Sequence, residues 1–251
     1  MSKLYNFRDL GGIHTTCGRK IRANRLLRAA EPSGLTAEDV TRLMEMGLVQ
    51  IIDFRKPWEI EIAPVTQISG ASYHNFDLNR DGVREYNSIE EWRANITAEI
   101  AEAKMISDYK GYATLPSAIE GIGGFLRACI AKTQGATLFH CHAGKDRTGF
   151  AAAVLLKLLG ASDADIFADY LQTLADIELR LPGILAQRCA ESNLNETQIA
   201  AYKVVYSIKR EWLEAALAAI DEHHGCFDGY ITNALGITAN EVAVLKDLYL
   251  V

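Results

Sequence analysis

The feature that most constrains this 251-residue chain is a short loop in which five residues separate Cys141 from Arg147. An apolar run at residues 136–139 precedes the loop and predicts a buried strand, and a run of small and apolar residues at 150–159 predicts a buried helix after it. A tight loop between a strand and a helix can bind an anion, because successive backbone N–H groups converge and the helix N-terminus adds its positive end. The spacing therefore predicts a phosphate site with a thiol at its base and a guanidinium that binds two oxygens.

The chemistry of such a loop follows from its environment. A cysteine at a helix N-terminus and beside positive charge favours the thiolate form, so Cys141 is predicted to attack phosphorus and form a phosphocysteine. Arg147 and the loop amides would bind the equatorial oxygens of the transition state. Thr148 can donate a hydrogen bond to the Cys141 sulfur and ease its departure, or it can be an ordinary residue of the first helical turn.

Cysteine, five residues, arginine and then threonine resemble the signature of the cysteine-dependent protein tyrosine phosphatases. The fuller string at residues 140–149 is similar to an atypical bacterial branch of these enzymes with tyrosine and phosphoinositide activity. The likeness extends over almost the whole chain. It also rests on residues 6–12, on residues 52–55 together with Glu59, and on residues 169–171. Within residues 52–55, the branch usually has Leu in place of Phe54.

The resemblance implies a two-step hydrolysis of phosphotyrosine in proteins without a metal or other cofactor. Phosphoinositides, or a dual or triple specificity, are the alternative substrates. The leaving oxygen needs a proton, and in this branch an aspartate directly before the loop arginine is proposed to supply it, which here is Asp146. Asp77 follows a predicted strand and is the second candidate acid, although it could equally stabilise a turn. The resemblance also implies that residues 6–12 pack near the loop and that the helix at 89–109 forms a lid.

The residues predicted to bind phosphate are those of the loop itself. Lys145 adds a second positive charge that could attract phosphate, or its side chain could be solvated. The side chain of His142 is expected at the rim, and His140 is expected to order the loop by hydrogen bonding. The full predicted phosphate-binding set is His142, Ala143, Gly144, Lys145, Asp146 and Arg147.

Other functions that use similar residues fit less well. A Walker-type loop fails, because Phe139 stands where the first Gly should be and Asp146 follows Lys145. A zinc site from residues 140–142 is disfavoured, since adjacent residues rarely point at one ion. A sulfurtransferase also uses a loop cysteine, but the Arg-Thr-Gly ending favours phosphate. A non-catalytic phosphate-binding module would not need Cys141 and Asp146.

Bulk properties limit the partners and the compartment. The formal net charge of −6 disfavours general binding to nucleic acid or to anionic membranes. No apolar run reaches the roughly 18 residues of a membrane span, and the N-terminal residues lack the apolar core of a signal peptide. An odd number of cysteines without close pairing favours a reducing, cytoplasmic location, while relatives in the branch leave export by a non-classical route open. The oligomeric state is left open. The five cysteines are Cys17, Cys129, Cys141, Cys189 and Cys226.

Element patterns predict one α/β domain over residues 1–251, with a mostly parallel sheet flanked by helices and a helical C-terminal half. Strands are predicted at 25–29, 48–54, 71–76 and 136–139. Helices are predicted at 36–47, 89–109, 117–132 and 150–159, from 162 to about 179 ahead of Pro182, from 195, at 212–223 and from 238. Arg8 and Asp9 could form a surface pair. Asp53 and Arg55 could belong to the site, but a structural role is favoured, with Arg55 pairing with Glu59 in the turn at Pro57.

Overall fold

A single sheet organises the protein, which we describe from a computed structural model covering residues 2–82 and 89–251. The strand order is β1-β2-β5-β3-β4. Strand β1 is antiparallel to β2, and the other neighbouring strands are parallel, which confirms the mostly parallel sheet. The strands are β1 (Arg8–Asp9), β2 (Leu26–Ala29), β3 (Leu48–Asp53), β4 (Ser72–Asn75) and β5 (Ala136–His140).

Helices flank the sheet and form nearly all of the chain after β5, as predicted. Among the described residues, no helix has the length and apolar character needed to cross a membrane. The helices are α1 (Ala37–Glu45), α2 (Pro57–Ile62), α3 (Ile89–Asn95), α4 (Ala98–Thr114), α5 (Pro116–Ala131), α6 (Asp146–Leu159), α7 (Asp163–Ser192), α8 (Glu196–Val205), α9 (Arg210–His224), α10 (Phe227–Gly229) and α11 (Ala239–Tyr249), with a π-helical turn at Tyr230–Ala234.

Strand β5 lies at the centre of the sheet and is buried on both faces. Ala136 and Leu138 point to one face, where they pack in a cluster with Leu43 of α1. Phe139 points to the other face and joins the larger core with Phe125 of α5. Because both faces of β5 are buried, its sequence is a nearly continuous apolar run. The loop that follows β5 lies at the edge of the sheet where the parallel strands end.

The predicted helix at 89–109 is instead two helices, because the chain turns at Ile96 and Thr97. Thr97 is the N-cap of α4, and its hydroxyl accepts the N–H of Ile100. Ile96 is buried and packs with Ala101 and with Ala201 of α8. Burial of Ile96 and the new cap together offset the break in the helix.

The prediction that a helix ends ahead of Pro182 is wrong, since α7 continues through that proline to Ser192. Proline removes one N–H from the helical ladder at a cost of about 3 kcal/mol. The other hydrogen bonds of the 30-residue helix remain. Asn193, in the left-handed conformation, is the residue at which the helix actually stops.

The glycines that weaken the pattern of α5 have a packing role. The helix is formed from Pro116 onward despite Gly121, Gly123 and Gly124. A Cβ atom on Gly124 would lie 2.6 Å from the ring of Phe76, so glycine lets the segment after β4 approach the helix closely. The low helix propensity of these glycines is therefore offset by the close packing of α5 against Phe76.

The aromatic cluster between the sheet and α5 predicts a large stability effect. Phe125 is fully buried, with its ring centroid 5.4 Å from that of Phe54 and 5.1 Å from that of Phe139. We expect Phe125→Ala to lower the free energy of unfolding by about 3–5 kcal/mol, because it leaves a cavity in close-packed surroundings. Denaturant unfolding measures this, with Ile62→Ala as control because Ile62 is 76% exposed. Equal losses in the two variants would contradict the packing described.

Candidate active site

The carbonyl groups of the loop after β5 are turned outward. Asn6 Nδ2 donates to the carbonyls of Ala143 (3.1 Å) and Gly144 (2.9 Å), and Arg28 Nη2 also donates to Gly144 (2.9 Å). In a planar trans peptide the following N–H points to the opposite side. Among the described residues, none accepts a hydrogen bond from the backbone N–H groups of residues 142–148. The N–H groups that follow these two carbonyls, those of Gly144 and Lys145, therefore point away from Asn6 and Arg28, and unused donors of this kind can bind an anion.

Glycine is required at position 144 of this loop. Its φ is +65°, in the left-handed region, and a Cβ atom there would lie 2.3 Å from the carbonyl oxygen of Ala29. The loop can approach the end of β2 this closely only without a side chain.

A buried charge cluster holds the loop against the N-terminal segment. Asp169 of α7 accepts from both Arg28 and Arg8, and the side chain of Arg28 is fully buried. Burial opposes the charge of Asp169, but the two arginines outweigh it and lower the pKa of the carboxyl. Arg8 Nη1 also donates to Asn6 Oδ1 at 2.6 Å. Residues 6–12 thus pack close to the loop, as the resemblance implied.

The predicted surface pair of Arg8 with Asp9 is wrong. Arg8 turns inward to Asp169. The carboxylate of Asp9 instead accepts the backbone N–H groups of Gly11 (2.8 Å) and Asn24 (2.7 Å). Neighbours in a strand point to opposite faces, so adjacent side chains of opposite charge are poorly placed to pair.

Arg147 is held by Glu59 of α2 rather than left free. Its Nη1 and Nη2 donate to the two carboxylate oxygens of Glu59 at 2.7 and 2.8 Å, and Nη1 also donates to the Phe54 carbonyl at 3.3 Å. Burial alone would raise the pKa of Glu59, but the hydrogen bonds and charge of Arg147 lower it to about 2. The Nε–H and the second Nη2–H of Arg147 have no acceptor among the described residues. These two donors share one edge of the guanidinium and fit two phosphate oxygens.

The predicted pair of Arg55 with Glu59 is therefore wrong, because the Glu59 carboxylate binds Arg147. Arg55 is fully buried and pairs with Asp53 at 2.7 Å and with Glu31 at 2.8 Å. Asp53 and Arg55 thus have the structural role expected of them. Arg55 connects Asp53, at the end of β3, to Glu31 in the segment after β2.

Cys141 lies at the base of the loop and is 2% exposed. The buried hydroxyl of Thr148 makes no hydrogen bond with any residue in the described part of the chain. His140 is fully buried, its Nδ1–H donates to the Cys141 carbonyl at 3.0 Å, and burial lowers its pKa. His140 thus orders the start of the loop, in agreement with its predicted role.

Asp146 is the first residue of α6 and lies inside the site. Its Oδ1 accepts from the hydroxyl of Tyr109 on α4 at 2.9 Å, and its Oδ2 lies 3.4 Å from Lys145 Nζ. Asp77, the second candidate acid, accepts the N–H of Asn79 and forms a turn. No described hydrogen bond joins Asp77 to the loop, so the geometry favours Asp146 for chemistry at this site.

The two remaining polar residues of the loop point away from its centre. Lys145 Nζ donates to the carbonyls of Val205 and Ser207, both at 2.6 Å. Its side chain is only 6% exposed, so the solvated alternative for Lys145 is wrong. His142 is 63% exposed, and its Nδ1–H donates to Glu31 at 2.8 Å, which places its side chain at the rim as expected.

Sequence reasoning missed three groups that shape the site: Tyr109, Arg28 and the partner of Glu59. In the sequence, Tyr109 could cover a substrate, but aromatic packing is the favoured interpretation, and its contact with Asp146 joins residues 37 positions apart. For Arg28 a signal existed, because an arginine inside a short apolar strand must find a buried partner.

The Glu59–Arg147 pair predicts a pH-dependent stability. A carboxyl whose folded pKa is lowered contributes stability above its unfolded pKa, and that contribution is lost as pH falls toward the folded value of about 2. We expect Glu59→Gln to be less stable than wild type at about pH 7, and the difference to shrink at about pH 3. Denaturant unfolding at both values measures this. Glu61→Gln, an exposed change in the same helix, should show no such convergence, and a constant gap for Glu59→Gln would contradict the prediction.

Comparison with known proteins finds tyrosine phosphatases among the relatives of this chain. The chain is 32% identical over 257 residues to a putative tyrosine-protein phosphatase of Cupriavidus necator, covering 98% of this chain and 85% of the relative. It is 24% identical to the triple specificity protein phosphatase PtpB of Mycobacterium tuberculosis, covering 98% of this chain and 96% of PtpB. The alignment with the crystal structure of Pseudomonas aeruginosa TpbA covers 80% of this chain and 89% of the TpbA chain, with 15% identity and a TM-score of 0.33.

The sequence model of the tyrosine phosphatase family matches residues 1–251, the whole of the chain. With this match and the Cupriavidus relative together, the chain belongs to the tyrosine phosphatase family.

Proposed function

We propose that this protein hydrolyses phosphotyrosine in proteins through a covalent phosphocysteine on Cys141. The observation that carries the proposal is that the backbone N–H groups of residues 142–148 and one edge of the Arg147 guanidinium have no acceptor among the described residues. Residues 1–251 would act as one catalytic domain, because the site draws on segments from Asn6 to Asp169.

In the first step, the Cys141 thiolate attacks phosphorus and the bond to the leaving oxygen breaks. The loop N–H groups and Arg147 stabilise the equatorial oxygens, and they are oriented before the reaction begins, so no reorganisation is needed. Asp146 gives its proton to the leaving oxygen. The products are the dephosphorylated hydroxyl and phosphocysteine.

In the second step, water attacks phosphorus and Asp146 takes its proton. The sulfur leaves as a thiolate, and inorganic phosphate is released. The buried Thr148 hydroxyl, one helical turn into α6, has its hydrogen available to stabilise that sulfur. The scheme routes no step through a metal or cofactor.

A broader specificity is the second candidate function. PtpB, which is aligned over almost its whole length, is a triple specificity protein phosphatase. Phosphoinositides or phosphoserine and phosphothreonine would use the same loop, because the loop binds the phosphate rather than the group that carries it. A sulfurtransferase or a non-catalytic module is a weaker alternative, since the free guanidinium edge and Asp146 suit phosphoryl transfer.

The thiolate mechanism predicts that aryl phosphate hydrolysis persists in EDTA and disappears in Cys141→Ser. We expect the variant to retain less than about one hundredth of the wild-type rate, since it lacks the nucleophile. Cys129→Ser is the matched control, because Cys129 is a buried thiol away from the loop. Activity lost to EDTA, or retained in Cys141→Ser, would refute the mechanism.

The acid role of Asp146 predicts a dependence on the leaving group. We expect Asp146→Asn to lower turnover of a phosphate with a poor leaving group by about 10²–10⁴-fold, and to affect a good leaving group much less. Asp77→Asn should leave both rates close to wild type. An equal loss on both substrates for Asp146→Asn would assign the acid elsewhere.

A further inference from the structure

The hydroxyl groups of Tyr170 and Tyr109 form a chain of hydrogen bonds that runs from α7 to the carboxylate of Asp146. Tyr170 donates to the Tyr109 oxygen at 2.7 Å, and Tyr109 donates to Asp146 Oδ1 at 2.9 Å. Tyr170 also lies 3.2 Å from the carbonyl of Lys209, a longer contact. Because a carboxylate can only accept, the proton of Tyr109 must point to Asp146, and its oxygen is then left to accept from Tyr170.

Tyr109 is fixed in place by its surroundings. It is fully buried, and its ring lies 5.4 Å from Tyr112, 6.2 Å from Tyr170 and 6.0 Å from Trp212, measured between ring centroids. Burial, together with the charge of Asp146, raises the pKa of Tyr109 well above its usual value. The phenol therefore stays protonated and remains a hydrogen-bond donor.

The two oxygens of Asp146 are consequently not equivalent. Oδ1 is taken by Tyr109, whereas Oδ2 faces Lys145 Nζ at 3.4 Å. The Lys145 ammonium is drawn away by the carbonyls of Val205 and Ser207, both at 2.6 Å, at the C-terminal end of α8. Oδ2 has only this longer contact with Lys145 among the described residues and is thus the oxygen available to hold and transfer a proton.

We propose that Tyr109 is a positioning residue for Asp146, holding Oδ1 so that the proton for the leaving group is carried on Oδ2. This rests on the proposed function, in which Asp146 is the general acid. Helix α4 would then serve the chemistry directly, by fixing the rotamer of a loop side chain that otherwise turns freely about two bonds.

The test is the leaving-group dependence of Tyr109→Phe, which removes only the hydroxyl. We expect about a tenfold loss of turnover with a poor leaving group and less than about a twofold change with a good one. The double variant Tyr109→Phe with Asp146→Asn should lose no more than Asp146→Asn alone, because the tyrosine acts only through the aspartate. Tyr170→Phe should show the same pattern, but weaker.

Tyr230→Phe is the matched control, since its buried hydroxyl has no partner among the described residues and its ring contacts His224, away from the loop. Its rates should equal those of wild type on both substrates. Equal losses on both substrates for Tyr109→Phe, or an additive loss in the double variant, would overturn the positioning role and indicate a packing role.

The outcomes separate the two proposals. If wild type is inactive, or Cys141→Ser is active, the phosphatase mechanism itself fails. If these behave as expected and Asp146→Asn discriminates between leaving groups, then a Tyr109→Phe variant that does not discriminate overturns the positioning role alone.

Discussion

The site depends on the hydrogen bonds that turn the Ala143 and Gly144 carbonyls outward. Asn6 and Arg28 donate these hydrogen bonds, and Asp169 forms an ion pair with Arg28. Loss of one partner from a buried ion pair leaves a charge without compensation and costs about 3–5 kcal/mol. Three distant segments of the chain therefore hold the loop in this conformation, which the proposed function requires.

The two cationic side chains of the loop are held by acceptors of the protein itself. Arg147 donates hydrogen bonds to Glu59, and Lys145 donates to two carbonyls at and just after the end of α8. The chain as a whole has a net charge of −6, so at the proposed site attraction to a phosphate would depend on local groups such as Arg147 and the helix N-terminus. In the proposed mechanism, donors that are fixed beforehand would not have to be reoriented during the reaction.

Regular structure was largely predictable, because it follows from local patterns. The parallel strands, the loop and most helices lie close to where periodicity and capping residues put them, as with Thr238 and Glu241 at the start of α11. The exceptions arose where tertiary contacts outweigh local preference. Pro182 lies inside a helix that the rest of its ladder maintains, and Thr97 interrupts a pattern that appeared continuous.

The sequence by itself determined the strand–loop–helix around Cys141 and Arg147, since the spacing of these residues is a local property of the chain. Only the tertiary structure decided which charges meet. Arg8 and Glu59 each have a different charged partner from the one nearest in sequence, since Arg8 pairs with Asp169 and Glu59 pairs with Arg147. Long side chains can reach several partners at similar distances, and burial selects the pairing that leaves no charge alone. For the same reason the contact of Tyr109 with Asp146 became visible only once α4 was packed against the loop.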